Sequence, residues 1–434
     1  MHVGIWHQST LPLCGATPRR NPSGGTETAL VYTAEALARA GVRVTVFCNT
    51  DEESTTEGVT YVPGADLHAR LAGREFDAFL VVRHLAAFTV PVRTRGVFYW
   101  SHDNLAQPFL HGMFRFFAEH AGGRRLTCAL HLGELMGHID AVFAVSRWQA
   151  GAIAAAFGVL PARIEVVGNG LPPGLFSPTL HLASKRPIIL YSLPPDRGML
   201  PLLEIFAKAS PRLDGAELHL YSSSTIYGAP EKKDEAAYGE VYALARRIGG
   251  VHHFAPIPQS ALAKAMERAM VYAYPTATEE TFCISILEAQ AAGAVPVSSA
   301  CGAIPERVTP GVDGFLIPGD PAGEEYQRAF VDKLVRLRRD PELRHRIAAA
   351  AHAKAHSAEY CYDTVARRML ARVEETIRGR PVRETWFDVA RLAPPYVTPT
   401  TAPEAAPPRE LRLAELCVLR DRFCAHLRLG QRPA

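Results

Sequence analysis

Apolar residues in the first 170 or so positions fall into short continuous runs: HVGIW, VRVTVFC, DAFLVVR, GVFYW and AVFAVS, with IEVVGNG closing the series. The segment TETALVYTAEALARAG, between the first two runs, has helical spacing instead. Continuous runs are what strands covered on both faces look like, and strand, helix, strand succession predicts a parallel sheet. After the turn-rich stretch GNGLPPGLFSPTLHLASKRP the rhythm restarts with PIILYS, a helix at MLPLLEIFAKA, then AELHLYS, VHHF, MVYAYP and AVPVSS. The expected fold class is therefore α/β, with two units of shared architecture meeting near residue 180 and binding between them. Neither half carries a fixed-period repeat, which excludes solenoids and propellers.

From about 322 to 378 the pattern becomes mostly helical, in FVDKLVRLRRD, ELRHRIAAAAHAKA and YDTVARRMLARVEETI, with arginines on polar faces that read as solvated surface. The stretch LAPPYVTPTTAPEAAPPRE is a Pro-rich linker, unable to pack as a helix or a central strand. A last helix is expected at about 409 to 428. Its stripe of Leu411, Leu413, Leu416, Leu419, Phe423 and Leu427 must dock on this chain or on a second copy, as a homodimer.

Composition narrows the classes. A chain of 434 residues with 48% hydrophobic content can bury two cores. Its 47 Lys and Arg against 44 Asp and Glu leave a formal charge of +3, too small for a dedicated nucleic-acid binder. The cysteines at 14, 48, 128, 283, 301, 361, 417 and 424 make no Cys-x-x-Cys pair and no zinc-spaced cluster, which fits a reduced, cytoplasmic setting. MHVGIWHQST lacks the charged and apolar regions of a signal peptide, and no stretch has eighteen uninterrupted apolar residues. Peripheral contact at the inner face of a membrane stays compatible with all of this.

The most specific segment is YPTATEETFCISILEAQAAGAVPVSSACGAIPE, residues 274–306, in which Glu280 is followed by seven residues and then Glu288. A Thr-rich loop leads into a helix whose Ile284, Leu287 and Ala291 are expected to face the core and which stops at Gly293. Backbone amides at the helix start, around Thr281, Phe282, Cys283 and Ile284, carry the positive end of the helix dipole and suit a diphosphate. A departing nucleoside diphosphate needs such neutralisation as its bond to a sugar breaks. A pair of carboxylates also suits a glycoside hydrolase, whose acids stand roughly 5 to 9.5 Å apart. A helical rise of about 12 Å over eight residues argues against that pairing without settling it.

Glu280 and Glu288 in this strand, loop and helix setting resemble the retaining GT-B glycosyltransferases of family four, also called glycosyltransferase group 1, over roughly residues 1 to 378. The resemblance implies two Rossmann-like domains: 1–180 for the acceptor and 181–357 for the nucleotide-sugar donor. A helix at 358–380 then crosses back to the first domain, and a linker and tail occupy 381–434. It also implies that Glu280 contacts the sugar on its reacting face and that Glu288 binds the ribose hydroxyls. Gly24 and Gly25, between the first strand and its helix, match the family's glycine loop facing donor phosphates and acceptor. Arg197 stands where the family has a lysine, whereas Ser192 stands near the position of the family's earlier arginine, so one diphosphate cation is missing and the load shifts to helix amides. His102, straight after a buried strand, resembles the interdomain histidine touching the donor sugar. Asp103 would orient it or bind acceptor hydroxyls. Asn169 and Gly170 match the turn into the interdomain linker, and Glu306 a position near the donor.

The expected function is transfer of a sugar, from a UDP- or GDP-sugar, to a hydroxyl-bearing glycan, lipid or natural product with retained anomeric configuration. No cofactor and no metal are expected. An epimerase or hydrolase of the same fold, turning over donor without acceptor, and a non-catalytic nucleotide-sugar-binding scaffold are the alternatives. Selection of base, sugar and acceptor would fall to Ser222 to Tyr227, Phe254 and residues 102 to 125.

Overall fold

A computed structural model of the chain describes residues 1–8, 11–104 and 135–387. The helix expected at 409–428 and most of the loop at 102–125 lie outside the described residues. The first half contains strands β1 (His2–His7), β2 (Arg43–Cys48), β3 (Ser54–Thr56), β4 (Val59–Pro63), β5 (Glu75–Phe76), β6 (Ala78–Val82), β7 (Val92–Thr94), β8 (Val97–Trp100), β9 (Ala141–Ala144) and β10 (Ile164–Val166). Eight of them form a sheet in the order β10-β9-β8-β6-β1-β2-β4-β3, parallel except for β3 against β4. The second half contributes β11 (Arg186–Tyr191), β12 (Glu217–Tyr221), β13 (Val251–Phe254), β14 (Ala269–Tyr274), β15 (Val295–Ser299) and β16 (Phe315–Ile317). These form an all-parallel sheet in the order β13-β12-β11-β14-β15-β16.

Both sheets reverse direction at their centre. The chain runs outward from β1 through β2 and β4, then returns to β6 on the other flank; from β11 it runs to β12 and β13, then returns to β14. Loops leaving neighbouring strands at such a reversal diverge toward opposite faces and open a crevice beyond the carboxyl ends. The loops after β1, β6, β11 and β14 therefore own the binding positions. Every residue of β6 and β14 is buried, as continuous apolar runs require under helices on both faces.

The helix Gly25–Arg39 is buried at every position from Thr28 to Leu37, more than the single stripe of an ordinary surface helix. Its second covering is the helix Tyr362–Ile377, which packs along it. Tyr32 stacks on Tyr362 at 5.6 Å, and Arg39 reaches Asp363 at 2.6 Å. The outward and returning crossings between the halves lie side by side, the amide of Leu171 donating to the carbonyl of Tyr360 at 2.8 Å. Gly170 sits against this return, since a Cβ there would stand 2.6 Å from the amide nitrogen of Tyr362. Among the described residues, no helix is long and apolar enough to cross a membrane.

One expected boundary moves. Residues 381–387, assigned above to the linker, hold β17 (Arg383–Thr385), which pairs antiparallel with β7, and Phe387 donates its amide to the carbonyl of Phe88 at 2.7 Å. The reason is compositional: RETWF has strand-forming aromatic and β-branched residues and lies in the proline-free run between Pro381 and Pro394.

Candidate active site at the reversal of the second sheet

β14 delivers Tyr274 to the lip of the crevice, and the loop that follows carries Glu280. One carboxylate oxygen of Glu280 accepts from the Tyr274 hydroxyl at 2.6 Å and from Arg197 at 3.0 Å. The backbone beneath is fixed as well: Ala303 donates to the Glu280 carbonyl at 2.7 Å, and Gly302, with φ of +58°, lies flush against it. A side chain at Gly302 would collide with the backbone oxygen and nitrogen of Glu280.

Arg197 comes from the loop after β11, on the opposite side of the reversal. Gly198, at φ +124°, lets that loop pass the carbonyl of Pro275, where a Cβ could not fit. The cation expected at the diphosphate and the acid expected at the sugar thus meet as an ion pair, both side chains less than a fifth exposed. Burial disfavours the charge on Arg197, and Glu280 beside it more than restores it, raising its pKa. Ser192, at the place of the missing arginine, shares a hydrogen bond of 3.2 Å with the Tyr272 hydroxyl.

The helix after Glu280 begins later than its sequence suggests. It spans Ile284–Ala291, and Thr281, Phe282 and Cys283 form the turn that leads into it. Cys283 occupies the N-cap with φ of +68°, a left-handed conformation that costs a non-glycine residue about 1–2 kcal/mol. Ile284 is only half-buried, contrary to expectation, because it faces across the cleft toward Gly25, whose added Cβ would lie 3.3 Å from its Cδ1. Leu287 and Ala291 are buried. Phe282 is in the core with the Arg307 guanidinium 4.2 Å over its ring, and the Cys283 thiol is pushed upward by burial, so neither side chain is presented as a ligand group. What this turn offers is backbone. Glu288 is buried one turn further on; Gln259 donates to it at 2.8 Å, and burial pushes its carboxyl up to about 7.

On the facing side the helix opens at Gly25, with Gly24 as N-cap, earlier than the Thr26 or Glu27 of the sequence reading. Gly24 approaches Tyr227 of the second half, a Cβ there standing 3.4 Å from that ring. Below the glycines, His7 at the end of β1 lies 3.3 Å from Glu27. Burial would raise the Glu27 carboxyl, yet the bond to His7 and the charge of Arg83 hold it down to about 2. Asp103 is gripped through both oxygens by Arg83, at 2.5 and 2.9 Å. That bidentate pair replaces the expected role of Asp103 as a partner for the His102 ring, whose Nε2 is buried and without a hydrogen bond. His102 packs against Trp100 with centroids 4.4 Å apart and planes tilted by 55°, and burial, helped by Arg83 and His7, pushes its pKa down to about 3. It is a neutral imidazole at any working pH.

Hydrogen bonds among the described residues tie the halves together across the crevice. Thr281 donates its hydroxyl to the His102 carbonyl at 2.6 Å, and Asn104 donates to the Glu279 carbonyl at 2.6 Å. Glu306 accepts from the amides of Arg147 and Trp148, at 3.2 and 2.7 Å, at the start of the helix Arg147–Phe157. Glu306 therefore caps a first-half helix, because its carboxylate meets unpaired amides there, and the placement near the donor suggested by its position in the sequence is corrected to this tie. Asn169 is buried, with its Oδ1 unpartnered.

Sequence reading missed Tyr274, Gln259, Arg83, His7 and Glu27. Arg83 and His7 close the apolar runs DAFLVVR and HVGIWH, so the end position of each strand was a signal that could have found them. Among the described residues, one three-residue group offers clustered metal-ligand atoms, Glu217, His219 and His252, and it lies outside this crevice.

Residues 192–340 match the family model for glycosyl transferases group 1, and residues 23–174 match that for glycosyltransferase family 4. The D-inositol 3-phosphate glycosyltransferase of Kribbella flavida is 26% identical over 381 residues, covering 77% of this chain and 87% of that protein. That of Actinosynnema mirum is 25% identical over 413 residues, covering 85% and 96%. Among solved structures, sucrose-phosphate synthase from Thermosynechococcus elongatus matches with a TM-score of 0.64 at 16% identity over 86% of this chain and 98% of that one. Anabaena HepE in complex with UDP and glucose matches with a TM-score of 0.60 at 19% identity over 86% and 100%. With both halves matched by models of one family, and two reversing sheets facing a shared crevice, the chain belongs to the group 1, family 4 glycosyltransferases of the GT-B fold.

Proposed function

We propose that the chain transfers a sugar from a nucleoside-diphosphate sugar to a hydroxyl-bearing acceptor with retention of configuration, the donor lying against the second half and the acceptor against the first. The observation that carries the reading is the Arg197–Glu280 pair at 3.0 Å, placed at the reversal of the second sheet and facing the Gly24–Gly25 loop. A donor laid across that point has its diphosphate at Arg197 and at the backbone of the turn Thr281, Phe282, Cys283 and Ile284, where negative charge grows as the glycosidic bond breaks. Its sugar lies at Glu280, and its ribose hydroxyls reach Glu288. His102, being neutral, serves as a hydrogen-bonding wall for the sugar rather than as an acid. Retention requires the acceptor oxygen to arrive on the face from which the diphosphate leaves, which the glycine loop borders.

UDP-glucose is the first donor to test, because HepE has been solved with UDP and glucose; a GDP-sugar is the second. The names of the curated relatives make a cyclitol phosphate the first acceptor to try. The test is incubation with UDP-glucose with and without acceptor, followed by NMR of the anomeric proton. An acceptor-dependent product with the donor's configuration supports the reading. An inverted product, or donor turnover that ignores the acceptor, contradicts it.

A further inference from the structure

Among the described residues the second sheet ends in β13, an edge strand paired with β12 alone. Glu217 and His219 lie two residues apart on β12 and so share a face, while Leu218 and Leu220 turn the other way into the core. His219 and His252 are register partners on the two neighbouring strands, which puts their side chains on that same face. The three residues bring one ligand atom each within 4.8 Å of one another. His219 Nε2 is 2.8 Å from one Glu217 oxygen, and His252 Nε2 is 3.9 Å from the other.

Two aromatic rings complete the surface. Phe254, two residues beyond His252, meets His219 edge-on at 5.6 Å and lies nearly parallel to His252, with centroids 6.4 Å apart and planes at 16°. Tyr221 stacks on Phe254 at 5.0 Å. Such a wall restricts the imidazoles to a few orientations, which lowers the entropy lost when both bind one ion.

We propose that Glu217, His219 and His252 form a binding site for a divalent transition-metal ion of the zinc type, clamping edge strand β13 to β12. Two imidazole nitrogens and one carboxylate oxygen are donors chosen by Zn²⁺, Ni²⁺, Co²⁺ and Cu²⁺, whereas Mg²⁺ and Ca²⁺ prefer all-oxygen sites. Bonds of about 2.1 Å in a tetrahedron separate ligand atoms by about 3.4 Å, so ligand atoms now within 4.8 Å of one another need shift by no more than an ångström or so. Side-chain rotation supplies that movement. Half-exposed His252 and Glu217 leave the fourth position to water. The ion would hold in register an edge strand that has one strand neighbour among the described residues. Glu217 opens β12, at the end of the sheet opposite the crevice, so the site is separate from the donor pair.

The test is calorimetric titration of the metal-stripped full chain with ZnCl₂, alongside MgCl₂. The expected result is one zinc equivalent bound, none of magnesium, and a rise in melting temperature with zinc. His219→Ala and His252→Ala should each weaken binding by more than the roughly tenfold that loss of an outer partner costs a metal site, and the pair together should abolish it. The exposed His181→Ala should bind zinc as the unaltered chain does. Unchanged melting of the double variant in the absence of metal shows that it has folded. Zinc stoichiometry or affinity unaltered in that double variant, or no zinc equivalent in the native chain, overturns the proposal.

Discussion

The two sides of the crevice are built by the same reversal of a parallel sheet but carry their charge differently. On the second-half side, one acid, Glu280, meets one cation, Arg197, at the lip, and a second acid, Glu288, is buried with a single amide donating to it. On the first-half side, Arg83 with Asp103 and His7 with Glu27 form pairs behind the glycine loop. Under the proposed function, the first arrangement exchanges partners with a ligand carrying phosphates and hydroxyls. The second holds a wall in shape. The contrast teaches that charge density alone does not mark a binding surface; what matters is how much of each charge is already committed to the fold.

The contrast breaks most visibly on stability. Asp103→Ala removes the carboxylate that grips the partly buried Arg83 through both oxygens, a change worth about 3 kcal/mol of stability, seen as a drop in the denaturation midpoint. Glu280→Gln keeps the shape of the lip and should cost little stability, yet lower kcat by about 10²–10³ while nucleotide affinity stays within a few-fold. If Glu280→Gln unfolds the chain and Asp103→Ala only slows it, the two sides have been assigned the wrong way round.

Glu288 sharpens the comparison through pH. Its carboxyl, near 4.5 when unfolded, is raised to about 7 when folded, so between those values the unfolded chain binds fewer protons and stability falls as pH rises. Glu288→Gln removes this penalty: the variant should be more stable than the native chain at pH 8 by about 3 kcal/mol, with the gap closing as pH falls from about 7 to about 4.5. Ribose hydroxyls need an acceptor, so affinity of the native chain for a UDP-sugar should strengthen as pH rises through about 7. A flat affinity profile would place the ribose elsewhere. The smallest effect belongs to the ties across the crevice. Thr281→Val removes the bond to the His102 carbonyl, worth about 1 kcal/mol, and should raise the donor KM a few-fold with little change in melting temperature.

The second-half side was legible because one continuous stretch, residues 269–306, holds its strand, its acid, its turn and its helix, and local patterning reports all four. Arg197 was found because it lies in the matching loop of β11. The first-half side was not legible in the same way, since His7, Glu27, Arg83 and Asp103 come from four separate places that only the strand order brings together. Glu306 shows the limit of proximity in sequence: it lies close along the chain to Gly302, beneath Glu280, yet its carboxylate points to another helix. The metal-ligand group on β12 and β13 escaped because its spacing follows strand register rather than a linear motif.

The central claim is that a nucleoside-diphosphate sugar binds at Arg197, Glu280 and Glu288. It is tested most directly by a thermal-shift panel of UDP, GDP, ADP, dTDP and CDP on the native chain and on Glu288→Gln, since a ligand of the folded state raises its stability by RT ln(1 + [L]/Kd). The account predicts that one base raises the melting temperature of the native chain well above the others and that Glu288→Gln loses that shift. No shift with any nucleotide at millimolar concentration, or a shift that Glu288→Gln keeps in full, would contradict it.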